Sequence, residues 1–466
     1  MPQQDLELVA HLMRRAGFGA TRDDLEELAS KDYEGLVEDL LYPERFPDLE
    51  EDVLHRYHID INDQDGLRAQ SRWIYRMINT QTPLKEKLTL FWHRVFATGA
   101  GKSMHYPSAV AQIETFRGNA FSSFREILMD LAKDPAMNFW LDNCENHKDE
   151  PNENWGRELL ELFAMGVGNY SEQDVKMAAR AFTGWTFTQP LPVYPFGNYD
   201  STFVYREDDH DDSEKTFLGE TGRLNGEDII DIVVKQPATA RYLSRHLYDF
   251  FVADEAQVPA WDETPPRDPD AIEDLTKAYF DSGADVRSVL RVLFNSDFFK
   301  AARFNKVKSP IDFMVGTIKL AGTYRFPEPA LRGLPGTAGI MGQTLMQPPT
   351  VEGWHTGKEW IDAGTMNARV NFAVNQLGNV SNPGVQSIVA SLEAEGSSLA
   401  PEDFVRRCLD LTGPLNVGSD THASLLESAN AGGDLTFGPG EDRDNSVERI
   451  VSMVQQIVSS VDYQFE

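Results

Sequence analysis

Helix boundary signals recur along the whole chain, and this feature constrains its fold more than any other. Thr21 and Asp24 form a capping pair ahead of an apolar run, which is the pattern of a helix N-terminus. Pro83 and Pro237 each open a further apolar segment, and a first-turn proline is tolerated because its missing N–H would be unpaired anyway. Helical periodicity also marks residues 4–15, 108–133, 227–235, 269–282, 285–295, 309–323, 366–378, 402–411 and 445–460.

Strand-like residues are concentrated in one region. The stretches WTF, residues 185–187, and TFVYR, residues 202–206, flank a segment rich in Pro, Gly and Tyr over residues 188–200. Short aromatic and β-branched runs on either side of such a segment indicate a small hairpin. The sequence therefore predicts a mainly α protein: a multi-helical globular array with a small β-hairpin or irregular insertion near residues 185–220.

The charge of the chain argues against one class of partner. Its 466 residues carry 74 acidic and 43 basic side chains, a formal net charge of −31 at pH 7. This excess of carboxylate repels a phosphate backbone, and no run of Lys and Arg supplies a basic patch, so we expect no nucleic-acid partner. The two cysteines, Cys144 and Cys408, are too few for a disulfide scaffold or a Cys-rich zinc site.

Targeting and membrane signals are weak in this sequence. The N-terminus, MPQQDLELVAHLMRR, carries acids early and has no apolar stretch of signal-peptide length. The uncharged run over residues 333–351 contains four glycines and three prolines, so it is predicted to be a loop and not a membrane helix. We expect a cytoplasmic protein without a membrane span, or a periplasmic or secreted one if a leader has been removed.

The segment NENWGRELLELFAMG, residues 152–166, places charges among the leucines of a predicted helix. On a helical wheel one arc is apolar and holds Trp155, Leu159, Leu160, Leu162 and Phe163. The other arc carries Glu153, Arg157, Glu158 and Glu161. Glu153, Arg157 and Glu161 follow at i, i+4 and i+8, so we expect an acid–base–acid ladder along one stripe. Such a stripe is either a solvated face or an inward edge that binds something.

A second helix is expected directly after this segment. Gly166 ends the first helix, and Ser171 with Asp174 forms the capping pair of a helix over residues 172–183. The two helices are predicted to form an antiparallel helical hairpin over residues 153–185. If its charged edge faces inward, those charges must pair with each other or bind a ligand.

Seven segments of the chain resemble, in the same order, a known family. They are HLMRRAGFGAT (11–21), PLKEKLTLFWHRVFATG (83–99), DPAMNFWLDN (134–143), NENWGRELLELFAMGVGNYSEQDVKMAARAFTGW (152–185), HDDSEKTFLG (210–219), KVKSP (306–310) and PPTVEGWHTGKEWI (348–361). The pattern is similar to that of the family called domain of unknown function 1800, from about residue 10 to 375 and weakly to the C-terminus. Trp155-Gly156 stands where the family usually has an aromatic residue followed by alanine, and His355 where proline is common.

The resemblance implies a largely helical bacterial protein for which no reaction can be carried over. Genes of this family often lie beside those of a sulfatase-like or alkaline-phosphatase-like family, so the resemblance implies a partner of that kind. It also implies a helical core over residues 1–380. We expect residues 381–466 to be a helical C-terminal extension packed on that core, with a flexible loop at 413–445, where Gly, Ser and Asp interrupt the periodic pattern.

The acidic stretch EDDHDDSE, residues 207–214, is the most site-like cluster in the sequence. It holds six acids and His210 in eight residues, and a divalent cation prefers such oxygen ligands. The EF-hand pattern is absent, since Ser213 stands where glycine is needed. Either this is an acidic surface loop, or His210 and Asp211 fold onto the hairpin and act as an acid–base pair.

Two further features each allow two interpretations. His93 lies on the apolar helix LTLFWHRVFA, where it is either a hydrogen-bonded core residue or a metal ligand. Trp354 and Trp360 either anchor their loop on the core or stack on a flat ligand such as a sugar. No HExxH, GxSxG or P-loop pattern occurs, which argues against a zincin, an α/β-hydrolase or a P-loop NTPase.

These features support two functional hypotheses. The first, favoured by the lack of a known catalytic pattern, is an accessory or binding protein that works with the sulfatase-like partner. The alternative is a hydrolase-like enzyme with a polar cleft built from the 153–185 hairpin and the His210 loop. A divalent metal is the candidate cofactor of this enzyme. Its candidate catalytic residues are Glu153, Arg157, Glu161, Arg180, His210, Asp211 and Lys215, and its candidate metal ligands are His93, His210 and Asp211.

Overall fold

The computed structural model describes residues 3–57, 66–103, 105–188, 201–437 and 441–466. In chain order its α-helices are α1 Gln3–Arg15, α2 Arg22–Leu28, α3 Tyr33–Leu41, α4 Asp52–Tyr57, α5 Leu67–Asn79, α6 Pro83–Val95, α7 Ala100–Ser103, α8 Tyr106–Gly118, α9 Phe124–Lys133, α10 Pro135–Trp140, α11 Asn154–Glu158, α12 Glu172–Ala181, α13 Gly226–Val233, α14 Pro237–Phe251, α15 Pro269–Asp281, α16 Val286–Asn295, α17 Asp297–Ala301, α18 Pro310–Ala321, α19 Leu334–Ile340, α20 Ala363–Leu377, α21 Pro383–Glu393, α22 Pro401–Leu411, α23 Ser419–Ala431 and α24 Glu441–Ser459. The predicted mainly α class is confirmed.

Three small antiparallel strand pairs accompany the helices. Strand β1 Trp185–Phe187 pairs with β2 Phe203–Tyr205, β3 Lys215–Phe217 with β4 Glu220–Gly222, and β5 Ser398–Leu399 with β6 Leu435–Thr436. The first two pairs lie in the region 185–220, so the predicted small β insertion is confirmed. Residues 189–200 of the segment expected to join β1 and β2 lie outside the described residues.

The caps that the sequence predicts are present. Thr21 and Asp24 form a reciprocal capping box at the start of α2. Ser171 and Asp174 form another at the start of α12. These local hydrogen bonds satisfy backbone donors that a helix N-terminus leaves unpaired, and therefore they fix where each helix begins.

The hydrophobic core has a large cluster and a smaller one. The large cluster joins helices from α1 to α19, and the smaller one joins α20 to α24 with part of α18. Helix α21 begins directly against α18, where a Cβ on Gly384 would lie 1.8 Å from the carbonyl oxygen of Leu320. The division into residues 1–380 and 381–466 stays a prediction.

Two stretches that were expected to lack regular structure contain helices. The loop expected over residues 333–351 is wrong in part, because α19 occupies its first half. Leu334 and Ala338 bury one face of that short helix, and this burial outweighs the low helix propensity of its glycines. Residues 413–445 contain α23, which buries Leu425 and Ala429. The flexibility expected there stays a prediction.

No helix within the described residues combines the length and the apolar character that a bilayer crossing requires.

Candidate functional site

One face of α14 carries four buried polar or aromatic side chains. Tyr242, Arg245, His246 and Asp249 lie at i, i+3, i+4 and i+7, so they share one face of the helix. Each of the four is between 1% and 7% exposed. Three of them line two adjoining cavities.

These cavities have volumes of about 230 and 420 Å³ and share Leu162, Val258 and Glu352 in their linings. Together they are called the groove. Its walls come from α14, the turn after α11, the loop before α15 and residues 349–359. A concave site of this size with a few polar groups is typical of a small-molecule pocket.

His246 is buried in the wall of the smaller cavity, and only 5% of it is exposed. Neither ring nitrogen has a hydrogen-bond partner within the described residues. The ring lies beside those of Tyr242 and Trp261, with both centroids 4.6 Å away. Burial, followed by the positive charge of Arg94, lowers the pKa of His246 to about 3, so its imidazole is neutral at pH 7. A neutral imidazole offers one donor and one acceptor for a hydrogen-bond partner.

Two glutamate carboxyl groups line the larger cavity of the groove, and a third lies near them. Glu161 and Glu352 line the larger cavity, and Glu158 lies close enough to feel both charges. Burial, followed by the negative charge of Glu161, raises the pKa of Glu158 to about 7, and Glu352 adds to the shift. A carboxyl group that keeps its proton near neutral pH beside two others is the arrangement that general acid–base catalysis uses.

The chain after α11 continues as a π-helical turn, Leu159–Ala164. At its end the N–H of Met165 donates to the carbonyl oxygen of Leu160 at 2.9 Å, a bond that spans five residues. The turn presents Glu161 and Leu162 to the groove. Such turns are rare and are frequent at functional sites because they re-aim side chains.

The loop that carries Glu352 is held rigidly on the core. Trp354 packs edge-on against His93, with centroids 5.1 Å apart, and Trp360 is 7% exposed. Gly353 has a φ of +91°, and a Cβ there would lie 2.8 Å from the carbonyl oxygen of Arg94. The two tryptophans therefore anchor the loop, and Glu352 lies on this loop two residues before Trp354.

Three arginines line the groove, and two of them are neutralised by buried partners. Arg94 pairs with Asp249, and Arg245 pairs with Glu255 at 2.7 Å. The Arg245 guanidinium also lies over the Trp261 ring, 4.5 Å from its centroid. The third arginine, Arg241, is exposed and lies 4.0 Å from Glu273. Because all three cations have acidic partners, the carboxyl groups of the lining dominate the charge that a ligand meets.

The ladder expected for Glu153, Arg157 and Glu161 is wrong in its third member. Arg157 pairs with Glu153 at 3.1 Å and with Glu172 of α12 at 2.7 Å. Because the π turn begins at Leu159, Glu161 no longer lies one α-helical turn beyond Arg157. The side chains of Arg157 and Glu172 are 32% and 70% exposed, so this ion pair joins α11 to α12 at the surface.

Arg180, Asp211 and Lys215 form a separate cluster between α12 and β3. Arg180 Nε donates to Asp211 Oδ2 at 2.6 Å, and the Lys215 ammonium donates to the carbonyl oxygens of Asp211 and Ser213. Burial alone would raise the pKa of Asp211, but hydrogen bonds from Arg180 and Ser213 hold it well below its usual range. These polar atoms are engaged with one another, which ties the loop to α12.

The two candidate histidines lie apart from the groove. His210 Nδ1 is 2.9 Å from the carbonyl oxygen of Thr183, and its loop supplies none of the described residues that line the groove. His93 Nε2 accepts a hydrogen bond from the N–H of Met346 at 3.0 Å, and burial lowers its pKa to about 3. Within the described ranges, no three His, Cys, Asp or Glu side chains are grouped so that they could hold a metal ion.

The α14 face and Glu352 were not predicted from the sequence. A usable signal was present, because Tyr242, Arg245, His246 and Asp249 repeat at helical spacing. The groove also joins three of the segments that carried the resemblance. Arg94 comes from 83–99, Glu161 from 152–185 and Glu352 from 348–361.

A family model described as "Protein of unknown function (DUF1800)" matches residues 11–465, nearly the whole chain. No curated protein matches the chain, and no solved structure matches it.

Proposed function

This chain belongs to the DUF1800 family, and we propose that it is a hydrolase-like enzyme whose cleft is the groove beside α14. The proposal uses Glu158, Glu161 and Glu352 as the acid–base groups and His246 as a ligand-binding group. It agrees with the alternative hypothesis from the sequence in two respects: the reaction is a hydrolysis, and Glu161 belongs to the site.

One observation carries the proposal: His246 is almost fully buried, yet both of its ring nitrogens lack a partner in the described chain. An unsatisfied buried polar group lowers the free energy of unfolding by about 1–3 kcal/mol. Such groups are therefore rare in native proteins, and a functional role is one explanation for them. Here the ring lines a 230 Å³ cavity, and a ligand there would supply the missing partners.

In this proposal Glu158 is the general acid and Glu352 is the general base. Glu158, with its raised pKa, donates a proton to the leaving oxygen as the bond between that oxygen and carbon breaks. Glu352 takes a proton from a water molecule whose oxygen forms the new bond to the carbon. Glu161 accepts a hydrogen bond from Tyr170 at 2.9 Å, which fixes its position, and it orients Glu158 and Glu352. Its negative charge helps to keep the pKa of Glu158 high.

The charge of the groove favours a neutral, hydroxyl-rich substrate. Uncompensated carboxyl groups at the rim repel phosphate or sulfate esters. Trp261 and Tyr242 offer aromatic surface against which a sugar ring can pack, and His246 can bind a hydroxyl group in either direction. A glycoside therefore fits the site best.

The test is hydrolysis of a panel of nitrophenyl glycosides, neutral and acidic, by the purified protein. We expect turnover of a neutral glycoside and a fall in kcat/KM of at least about 100-fold in Glu158→Gln and Glu352→Gln, the usual contribution of an acid or base. Glu150→Gln, an exposed acid outside the groove, is the matched control and should keep full activity. Equal rates in the wild type and Glu158→Gln would contradict the proposal.

Roles that the sequence suggested for Glu153, Arg157, Arg180, His210, Asp211 and Lys215 stay predictions, and single substitutions in the same assay test them. An accessory role beside a sulfatase-like or alkaline-phosphatase-like protein is the competing proposal, and it rests on the resemblance alone. Under that role no glycoside is turned over or bound, and the groove variants match the wild type in every assay.

A further inference from the structure

A second cavity, of about 50 Å³, lies between α1, the start of α18 and the C-terminal residues. It is called the Arg14 cavity. Its polar lining consists of Arg14, Lys308, Asp312, Thr412, Tyr463 and Glu466. It shares no lining residue with the groove.

Two buried cations face this cavity without an acidic partner. Arg14 is 9% exposed and Lys308 is 8% exposed. Arg14 Nη1 donates to the carbonyl oxygen of Gly413 at 2.7 Å, and Lys308 Nζ donates to that of Tyr463 at 2.7 Å. Within the described chain, Arg14 Nε has no partner, and no carboxylate lies within ion-pair distance of either cation.

The carboxylates nearest to these cations are already engaged. Asp312 pairs with Lys87, and Glu466 pairs with Arg15 at 3.4 Å. Each of these pairs neutralises itself, so neither carboxylate forms an ion pair with Arg14 or Lys308. Burial lowers the pKa of Lys308 to about 7, and an anion beside it would hold the proton on its ammonium. Burying a charge without a counter-ion is strongly unfavourable, which makes an anion the missing component.

We propose that the Arg14 cavity binds a small oxyanion, with the Arg14 guanidinium and the Lys308 ammonium as its two charged donors. Planar Arg and compact Lys groups are the side chains that bind phosphate, sulfate and carboxylate. The cavity has room for roughly four waters, or for one such ion, by the space that a buried water needs. The acidic groove repels the same ions, so the groove binds a neutral ligand and the Arg14 cavity binds an anion.

The experiment measures thermal unfolding and calorimetric binding with sodium phosphate, sulfate and acetate, each compared with sodium chloride at the same ionic strength. For the wild type we expect a saturable rise of a few degrees in at least one of the three anions and not in chloride. The anion that gives the largest rise identifies whether phosphate, sulfate or a carboxylate is the preferred group.

Lys308→Met should abolish this rise, which is measured from the variant's own melting temperature in chloride because the substitution also removes the donor to the Tyr463 carbonyl oxygen. Arg14→Met is the second variant, in case the first fails to fold. Lys319→Met is the matched control, since that lysine lies on α18, the helix that follows Lys308, and outside the cavity lining, and it should keep the rise. Equal rises in all four salts, no binding heat with any of the three anions, or a full rise in Lys308→Met would each overturn the proposal.

Discussion

The phenol of Tyr242 donates a hydrogen bond to the main-chain carbonyl oxygen of Leu162 at 3.1 Å. This bond joins α14, which carries His246, to the π-helical turn that carries Glu161. The Tyr242 ring also packs closely on Gly166, where a Cβ would lie 3.0 Å from it. The two walls of the groove are therefore fixed relative to each other by one side chain.

Tyr242→Phe removes this bond and leaves a buried carbonyl oxygen unsatisfied. We expect the free energy of unfolding to fall by about 1–3 kcal/mol, the cost of an orphaned buried acceptor. Urea unfolding measures it. Tyr205→Phe, at a side chain that is 40% exposed, is the control and should change stability by less than about 0.5 kcal/mol. Equal effects in the two variants would show that the bond contributes nothing.

His246→Phe should separate function from stability. The imidazole has no partner within the described chain, so its replacement by an apolar ring should leave stability unchanged or raise it by about 1 kcal/mol. Glycoside turnover should be lost. His93→Phe is the control, because His93 accepts a bond from Met346, and its loss should cost about 1–3 kcal/mol. A large loss of stability in His246→Phe would mean that the ring is structural.

Glu158→Gln should change how stability depends on pH. The folded pKa of about 7 lies above the unfolded value of about 4.3, so the folded state holds the extra proton between them. This group therefore costs the wild type stability as pH rises from about 4.3 to about 7. The variant should match the wild type at pH 4 and exceed it at pH 8 in urea unfolding. A difference that is constant with pH would rule out titration of Glu158.

Lys215→Met tests whether the cluster beside α12 is structural or catalytic. Lys215 is 1% exposed and donates to two carbonyl oxygens, so we expect a loss of about 2 kcal/mol, typical of a bond to a charged group. Lys176→Met, on the exposed face of α12, should be neutral within about 0.5 kcal/mol. If Lys215 is catalytic, the variant instead loses activity without losing stability.

Gly156→Ala tests the contact between α11 and α12. A Cβ at this position would lie 3.0 Å from the backbone nitrogen of Ala179 and 3.2 Å from the Cβ of Ala178. We expect a loss of about 1–2 kcal/mol, because the two helices must move apart. Gly118→Ala, where nothing lies within 4 Å, should be neutral or stabilising by less than about 1 kcal/mol. Thermal melts of both variants measure the difference.

Much of the helical framework could be predicted because its signals are local. Pro83, Pro237 and Pro310 each begin a helix, and the capping box of Ser171 fixes the start of α12. The strand pair that begins at Trp185 was likewise marked by its own residues. Such features depend on neighbours within a few positions, which is why one sequence suffices to find them.

The groove could not be predicted, because its parts come from distant segments. Nothing near His246 in sequence shows that its ring nitrogens lack partners, and Glu352 lies more than a hundred residues away along the chain. The π turn at Leu159 has no sequence signature and displaces Glu161 from the expected ladder. Arg157, which the helical wheel suggested as a catalytic residue, forms an ion pair with Glu172, and that pair depends on the tertiary structure.

The position of Trp261 gives the protein an intrinsic optical probe of its own groove. Of the eight tryptophans, six are buried, namely Trp73, Trp92, Trp155, Trp185, Trp354 and Trp360. A water-soluble quencher such as iodide therefore reaches mainly Trp140 and Trp261. In a Trp140→Phe background, the quenchable fluorescence reports the wall of the groove, and a bound molecule that covers it can be followed in real time without any attached dye.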